Sequence, residues 1–207
     1  MINTLEDKKV FERMYPADIL PKIYPKETSD SEIDELLNSN IFSVMLNRRS
    51  QRKFENKEVE QWKVDIIFAA ADTAPTAGGF QGFEIFYIKN PETKKKLVSA
   101  ANNQPYVNAP LVMVFCVNPG RIKMNFSDSI LHKFSLQDAT LAAGYAQLAA
   151  HSLGLSSIWI GMFDENSVKN IIDTDLQPAS LLCIGYPKKI LLPKPKRNLT
   201  DLIHNVD

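Results

Sequence analysis

The chain has 207 residues, 44% of them hydrophobic, and its 24 basic and 24 acidic residues cancel to a net charge of zero. That length buries one substantial core, so a single domain with at most a short appendage is expected. With a pI near 6.8 there is no global field to draw the chain onto nucleic acid or an anionic membrane, so any anion binding has to be local.

The opening stretch MINTLEDKKVFER is charged, and no apolar run approaches the ~18 residues of a membrane span. A cytoplasmic protein without a membrane partner is expected. Residues 1–40 carry Pro16, Pro21 and Pro25 and the polar tract KETSDSEIDE, in which Ser29 or Ser31 suits a helix cap. They read as an arm with little core of its own, ahead of a domain over 41–207.

The pattern tightens at IFSVMLNR, a short helix that runs into the basic cluster NRRSQRKF, and Glu58–Ala74 has helical apolar spacing until Pro75 stops it. EIFYIK, LVMVFCV, SSIWIG and SLLCIGY read as strands, being rich in β-branched and aromatic residues and bounded by Gly, Pro or Asn. Helical patterns over 91–101, 134–153 and 164–173 lie between them, and strand direction stays open. Cys116 and Cys183 each sit inside an apolar run, as buried thiols of a reducing compartment do.

The helix over 134–153 has apolar or small residues on nearly every side, so it must be covered all round. Either one domain buries it centrally or one face packs on a partner subunit. Gln137 and Asp138, near its start, read as caps or interface partners rather than catalytic acids. His132, His151 and His204 show no metal spacing, and His151 reads as a core residue. No metal is expected.

Four stretches carry candidate chemistry. In the cluster, Arg48, Ser50 and Arg52 alternate, so in an extended segment they face one way and suit one phosphate, with Arg49, Gln51 and Lys53 facing elsewhere; a solvated basic turn is the other reading. TAPTAGGFQGFEIFYI is a helix-to-strand loop in which Gly78 and Gly79 allow positive φ or close approach. It is not a dinucleotide fingerprint, because it precedes a strand where a helix is needed. GLSSIWIGMFDENSVKNII holds a strand ending at Gly161 and a helix capped by Asp164. YPKKILLPKPKRN is a proline-stiffened basic run ending at Arg197.

Together, in order, R-x-S-x-R, A-P-T-A-G, G-L-x-x-x-W-I-G and G-Y-P with a terminal K-R resemble the FMN-dependent nitroreductase family over about 42–199. The resemblance implies an α+β three-layer sandwich, with a central, mainly antiparallel sheet flanked by helices, assembled as an intertwined homodimer with flavin at the subunit interface. It implies FMN as cofactor, its phosphate and ribityl chain held by Arg48, Ser50 and Arg52, with Arg49 in the same cluster and Arg197 completing the clamp. Pro75, Thr76, Ala77 and Gly78 match the loop along the isoalloxazine ring, and Gly161 and Met162 the backbone beside flavin N5. The implied activity is ping-pong hydride transfer from NAD(P)H, a transient donor, to a nitroaromatic, quinone or similar small acceptor. The flavin, not a catalytic side chain, carries that chemistry.

Many family members have asparagine where this chain has Gly79, and Q-P-W where it has Gln81-Gly82-Phe83. Ring recognition is therefore expected to rest on backbone groups or Gln81. The loop is similar to that of the azoline dehydrogenase branch, a specialised flavin chemistry and the first alternative. The flavin destructases also lack the asparagine but carry aspartate where Ser50 stands. A non-catalytic flavin-binding or dimeric scaffold protein is the alternative of another class. The small-molecule substrate is expected under a roof formed by 118–133 with Phe80, Phe83 and Phe126.

Overall fold

A computed structural model describes residues 41–191 and 201–206. The arm over 1–40 and Arg197 lie outside the described residues. Helix α1 (Ile41–Asn47) leads into the basic cluster, and α2 (Gln61–Asp72) ends three residues before Pro75. After the loop come β1 (Phe83–Ile88), α3 (Pro91–Ala100), β2 (Leu111–Val117) and the long α4 (Asp128–Ser152). The chain then forms β3 (Ser156–Ile160), α5 (Glu165–Ile172) and β4 (Gln177–Gly185). Among the described residues no helix is long and apolar enough to cross a membrane.

The four strands form one sheet in the order β1-β2-β4-β3, every neighbouring pair antiparallel. This is the expected sandwich. Alternation along β2 explains why its sequence is apolar throughout: Leu111, Met113, Phe115 and Val117 pack towards α2 and α4, whereas Val112, Val114 and Cys116 pack towards α3 and α5. A strand covered on both faces has no place for a polar residue. Cys116 and Cys183 are free, wholly buried and on the same side of the sheet, and burial pushes both thiols up to about 12.

Several element boundaries differ from the sequence reading, among them those of β4 and α4. β4 starts at Gln177 and includes Pro178, because β3 reaches only as far as Leu181 and the proline faces no strand on that side; a register shift opposite Phe115 and Cys116 accommodates it. α4 starts at Asp128 rather than near 134, since its first turns, DSILHK, are mostly solvent-facing and carry no continuous apolar face.

Helix caps follow the sequence. Asn90 Oδ1 accepts from the Glu92 and Thr93 backbone N–H groups, with Pro91 in the first turn of α3, and Asp164 Oδ1 accepts from Ser167 N at 2.6 Å.

α4 is covered on one side only. Ala139, Ala142, Ala143, Ala146 and Ala150 press on the sheet and α2, and alanine lets the helix approach closely. Leu136, Leu141 and Tyr145 on its other side stay exposed, as do Ile41, Met45 and Leu46 of α1. In a single chain the helix is therefore not buried all round.

Candidate functional site

The basic cluster runs along the β3 edge. Gln51 N donates to Ser157 O at 3.0 Å, so Ser50 and Ser157 form a short parallel bridge. The Gln51 side chain is buried: Nε2 donates to Lys189 O at 2.9 Å, and Oε1 accepts from the Arg52 and Lys53 backbone N–H groups. That inward glutamine turns its neighbours Ser50 and Arg52 outward, where both are exposed.

The arginines divide. Arg48, whose N–H closes α1 on Val44 O, and Arg49 lie near His151 at the end of α4. Burial holds the His151 imidazole below its ordinary value, and the two arginines push it the same way. The Arg49 guanidinium donates to Leu46 O and Arg48 O, yet its Nε is buried without an acceptor. Arg52 instead lies over the Tyr106 ring, 5.7 Å from its centroid. It also lines a cleft of about 770 Å3 where six cations, Arg52, Lys53, Lys57, Lys89, Lys94 and Lys188, outnumber two carboxylates. Among the described residues none of Arg48, Arg49 and Arg52 pairs with a carboxylate.

Gly161 and Met162 follow β3 and are exposed. The Met162 carbonyl accepts from Asn102 Nδ2 at 3.5 Å and Gln104 Nε2 at 3.3 Å, and Asp164 N donates to Ala100 O at 2.8 Å. The end of α3 thus holds this segment against the sheet edge. Sequence reasoning missed Asn102 and Gln104; the asparagine pair, both at left-handed φ, is the signal that marks a built turn.

Pro75, Thr76, Ala77 and Gly78 line a different groove, of about 820 Å3, with Met124, Phe134 and Leu141 across it. The loop is fixed by Asp138, which is 2% exposed and takes the Ala77 N–H on Oδ1 at 2.9 Å and the Gly82 N–H on Oδ2 at 3.0 Å. Ser135 Oγ donates to Gly82 O. Asp138 lies well inside α4, so it is not a cap; it is the anchor of the glycine loop. Gly78 and Gly79 adopt φ of 58° and 73°, and Gln81 one of 51°. A Cβ on Gly79 would meet nothing within 4 Å, so the backbone there faces open space. Gln81 turns away: its Nε2 donates to Asp72 Oδ1 at 2.6 Å and to Asp72 O at 3.2 Å.

The expected aromatic roof is only partly present. Phe126 is 47% exposed and meets Phe134 edge-on at 5.8 Å between centroids, and Phe80 packs beside Gly78. Phe83, in contrast, is 8% exposed and belongs to the core under α4, because β1 begins at Phe83 and alternation points it inward with Ile85 and Tyr87. It is not available to a ligand.

β1 and β3 are the two edges of the sheet, three strand spacings or about 14 Å apart. One chain therefore presents two candidate regions: a loop with exposed backbone at the β1 edge, and an arginine cluster with the Gly161 turn at the β3 edge.

This architecture is an α+β sandwich with a basic cluster along one sheet edge. The family model described as "Nitroreductase family" matches residues 45–110 and 107–186, and the chain belongs to that family. It is 30% identical over 174 residues to the FMN reductase [NAD(P)H] of Bacillus subtilis (strain 168), covering 75% of this chain and 69% of that one. The fold matches the NfrA1 nitroreductase structure from B. subtilis with a TM-score of 0.75 and 28% identity, over 81% of this chain and 76% of that one. It matches the NADPH:FMN oxidoreductase from Vibrio harveyi complexed with NAD+ with a TM-score of 0.76, over 82% and 78% of the two chains; at 23% identity this likeness speaks for the fold alone.

Proposed function

We propose that the chain is an FMN-dependent NAD(P)H oxidoreductase acting on a small acceptor. The observation that carries this reading is unneutralised positive charge at the β3 edge: three arginines without a carboxylate partner among the described residues, one with a buried Nε that has no acceptor. A buried orphan donor is costly until an acceptor reaches it, and for a guanidinium an anion is the strongest one. Arg48, Ser50 and Arg52 would hold the FMN phosphate, with Arg49 beside them and Arg197 from the C-terminal run. Bound FMN would supply the redox chemistry, hydride exchange between a nicotinamide and a nitroaromatic, quinone or similar small acceptor in ping-pong order.

The chain's own groups do the positioning. The Gly161–Met162 backbone would flank the ring, and Pro75–Gly78, anchored through the Ala77 N–H on Asp138, would cover it. Since these half-sites lie about 14 Å apart on one chain, a homodimer completes each site, one subunit giving the arginines and its partner the glycine loop. The exposed apolar side chains of α1 and α4, with Leu46 at 67% exposure, support that assembly. Phe80 and Phe126 remain as acceptor contacts.

The test is spectroscopic. Purified dimer is expected to be yellow, to bleach anaerobically with NADH or NADPH, and to regain colour with a nitroaromatic or quinone. A folded, colourless protein that takes up no added FMN would overturn the reading. A yellow protein inert to both nicotinamides would point to a flavin dehydrogenase with another donor.

A further inference from the structure

Between α3 and β2 the chain makes a turn in which Asn102 and Asn103 both hold left-handed φ, 55° and 56°. Side chains from this turn reach the Met162 carbonyl, through Asn102 Nδ2 and Gln104 Nε2. Gln104 is itself oriented. Its Oε1 accepts from the Tyr106 hydroxyl, and Nε2 also donates to Ala101 O at 2.8 Å. An amide has one acceptor end and one donor end. With the acceptor end occupied by Tyr106, the donor end is committed to the two carbonyls.

The ring that carries this hydroxyl is the ring under Arg52. A single half-buried aromatic side chain therefore touches both the cation assigned to the phosphate and the glutamine that holds the segment assigned to the flavin ring. An exposed guanidinium samples many rotamers. A bound phosphate confines it, and the cation–π contact then confines the ring beneath.

We propose that Tyr106 is a positioning residue that couples phosphate occupancy at Arg52 to the Gly161–Met162 segment, through Gln104 and the Met162 carbonyl. The coupling rests on the assignment of Arg52 and Gly161–Met162 given under the proposed function. Tyr106 itself contacts neither substrate nor flavin in this scheme.

Amide hydrogen exchange on the full-length chain tests it. Tyr106→Phe keeps the ring under Arg52 and removes only the hydroxyl. In flavin-free protein, exchange over 161–164 is expected to speed up by ~3-fold or more in the variant, with β2 and β4 unchanged. In wild type, FMN is expected to slow exchange over 161–164 more than riboflavin does, since riboflavin has the ring without the phosphate; in Tyr106→Phe that difference disappears. Unchanged exchange over 161–164 in the flavin-free variant, or an FMN–riboflavin difference that survives the substitution, overturns the coupling. A wild type that binds neither flavin overturns the functional assignment instead, and the flavin-free comparison still decides whether Tyr106 holds the segment.

Discussion

Asp138 and Gln147 stand nine residues apart on α4, about 14 Å along the helix axis, and each holds one half of the site. Asp138 fixes the glycine loop through the Ala77 and Gly82 N–H groups. Gln147 donates from Nε2 to Ser157 Oγ at 3.3 Å, on the β3 residue that bridges Ser50. The helix thus sets the spacing between the two half-sites.

Replacing Asp138 tests the anchor. Asp138→Ala strands two backbone donors, at least one of them fully buried, and the expected loss is about 2–4 kcal/mol of folding stability. Asp138→Asn keeps one acceptor and is expected to lose less. Denaturant midpoints at constant m-value measure both. An Asp138→Ala protein as stable as wild type would show that the loop does not depend on this carboxylate.

Much of the fold was legible in local chemistry. The strands announced themselves because each is a β-branched, aromatic run between Gly, Pro or Asn. Their direction did not, because antiparallel order follows from pairings such as Leu111 with Ile184, far apart in the chain. A strand read from Glu84 leaves Phe83 in the loop, where it looks like a ligand contact, whereas β1 begins at Phe83. α4 begins at Asp128, whereas a helix read from about 134 places Asp138 near its start, where the residue looks like a cap. Its true signal was a carboxylate among alanines on the buried face, which needs a donor to bring it inside. The Asn102-Asn103 pair hints at a turn, but the roles of Asn102, Gln104 and Tyr106 are not legible, since the partners that define them include residues 52 and 162.

The two glycines Gly79 and Gly82 are expected to behave oppositely. At Gly79 a side chain meets open space, and asparagine tolerates left-handed φ, so Gly79→Asn is expected to change stability by less than about 1 kcal/mol. At Gly82 a Cβ would come within 2.7 Å of Ile122 Cδ1 and 3.2 Å of Asp138 Oδ2. Gly82→Ala is expected to destabilise by about 1–3 kcal/mol. Thermal denaturation of the pair decides it: equal shifts would mean that the crowding at Gly82 relaxes freely.

Removing the phosphate-side cations should act on FMN and not on the ring alone. The double change Arg48→Ala with Arg52→Ala deletes two charge-assisted contacts, so FMN binding is expected to weaken by roughly 3–5 kcal/mol, about 10²–10⁴-fold. Riboflavin affinity is expected to stay within about twofold of wild type, since the ring contacts remain. Fluorescence titration of the flavin-free protein measures both. Unaltered FMN affinity in the double variant would mean that the phosphate lies elsewhere.

His151 gives the cluster a pH signature. Burial above all holds its folded-state pKa below the ordinary 6.5; the Leu155 backbone hydrogen bond opposes it, and the charges of Arg48 and Arg49 add to the depression. The unfolded chain, with no such burial, takes up the proton at about 6.5. As pH falls through that value the unfolded state binds more protons than the folded one, so stability drops, whereas above it both states hold a neutral ring and no penalty exists. Wild type is therefore expected to lose more stability between about pH 7 and pH 5 than His151→Gln, which has nothing to titrate there. NMR titration of the imidazole gives the direct check. A transition at or above 6.5 in flavin-free protein would mean that neither the arginines nor the burial reach this ring.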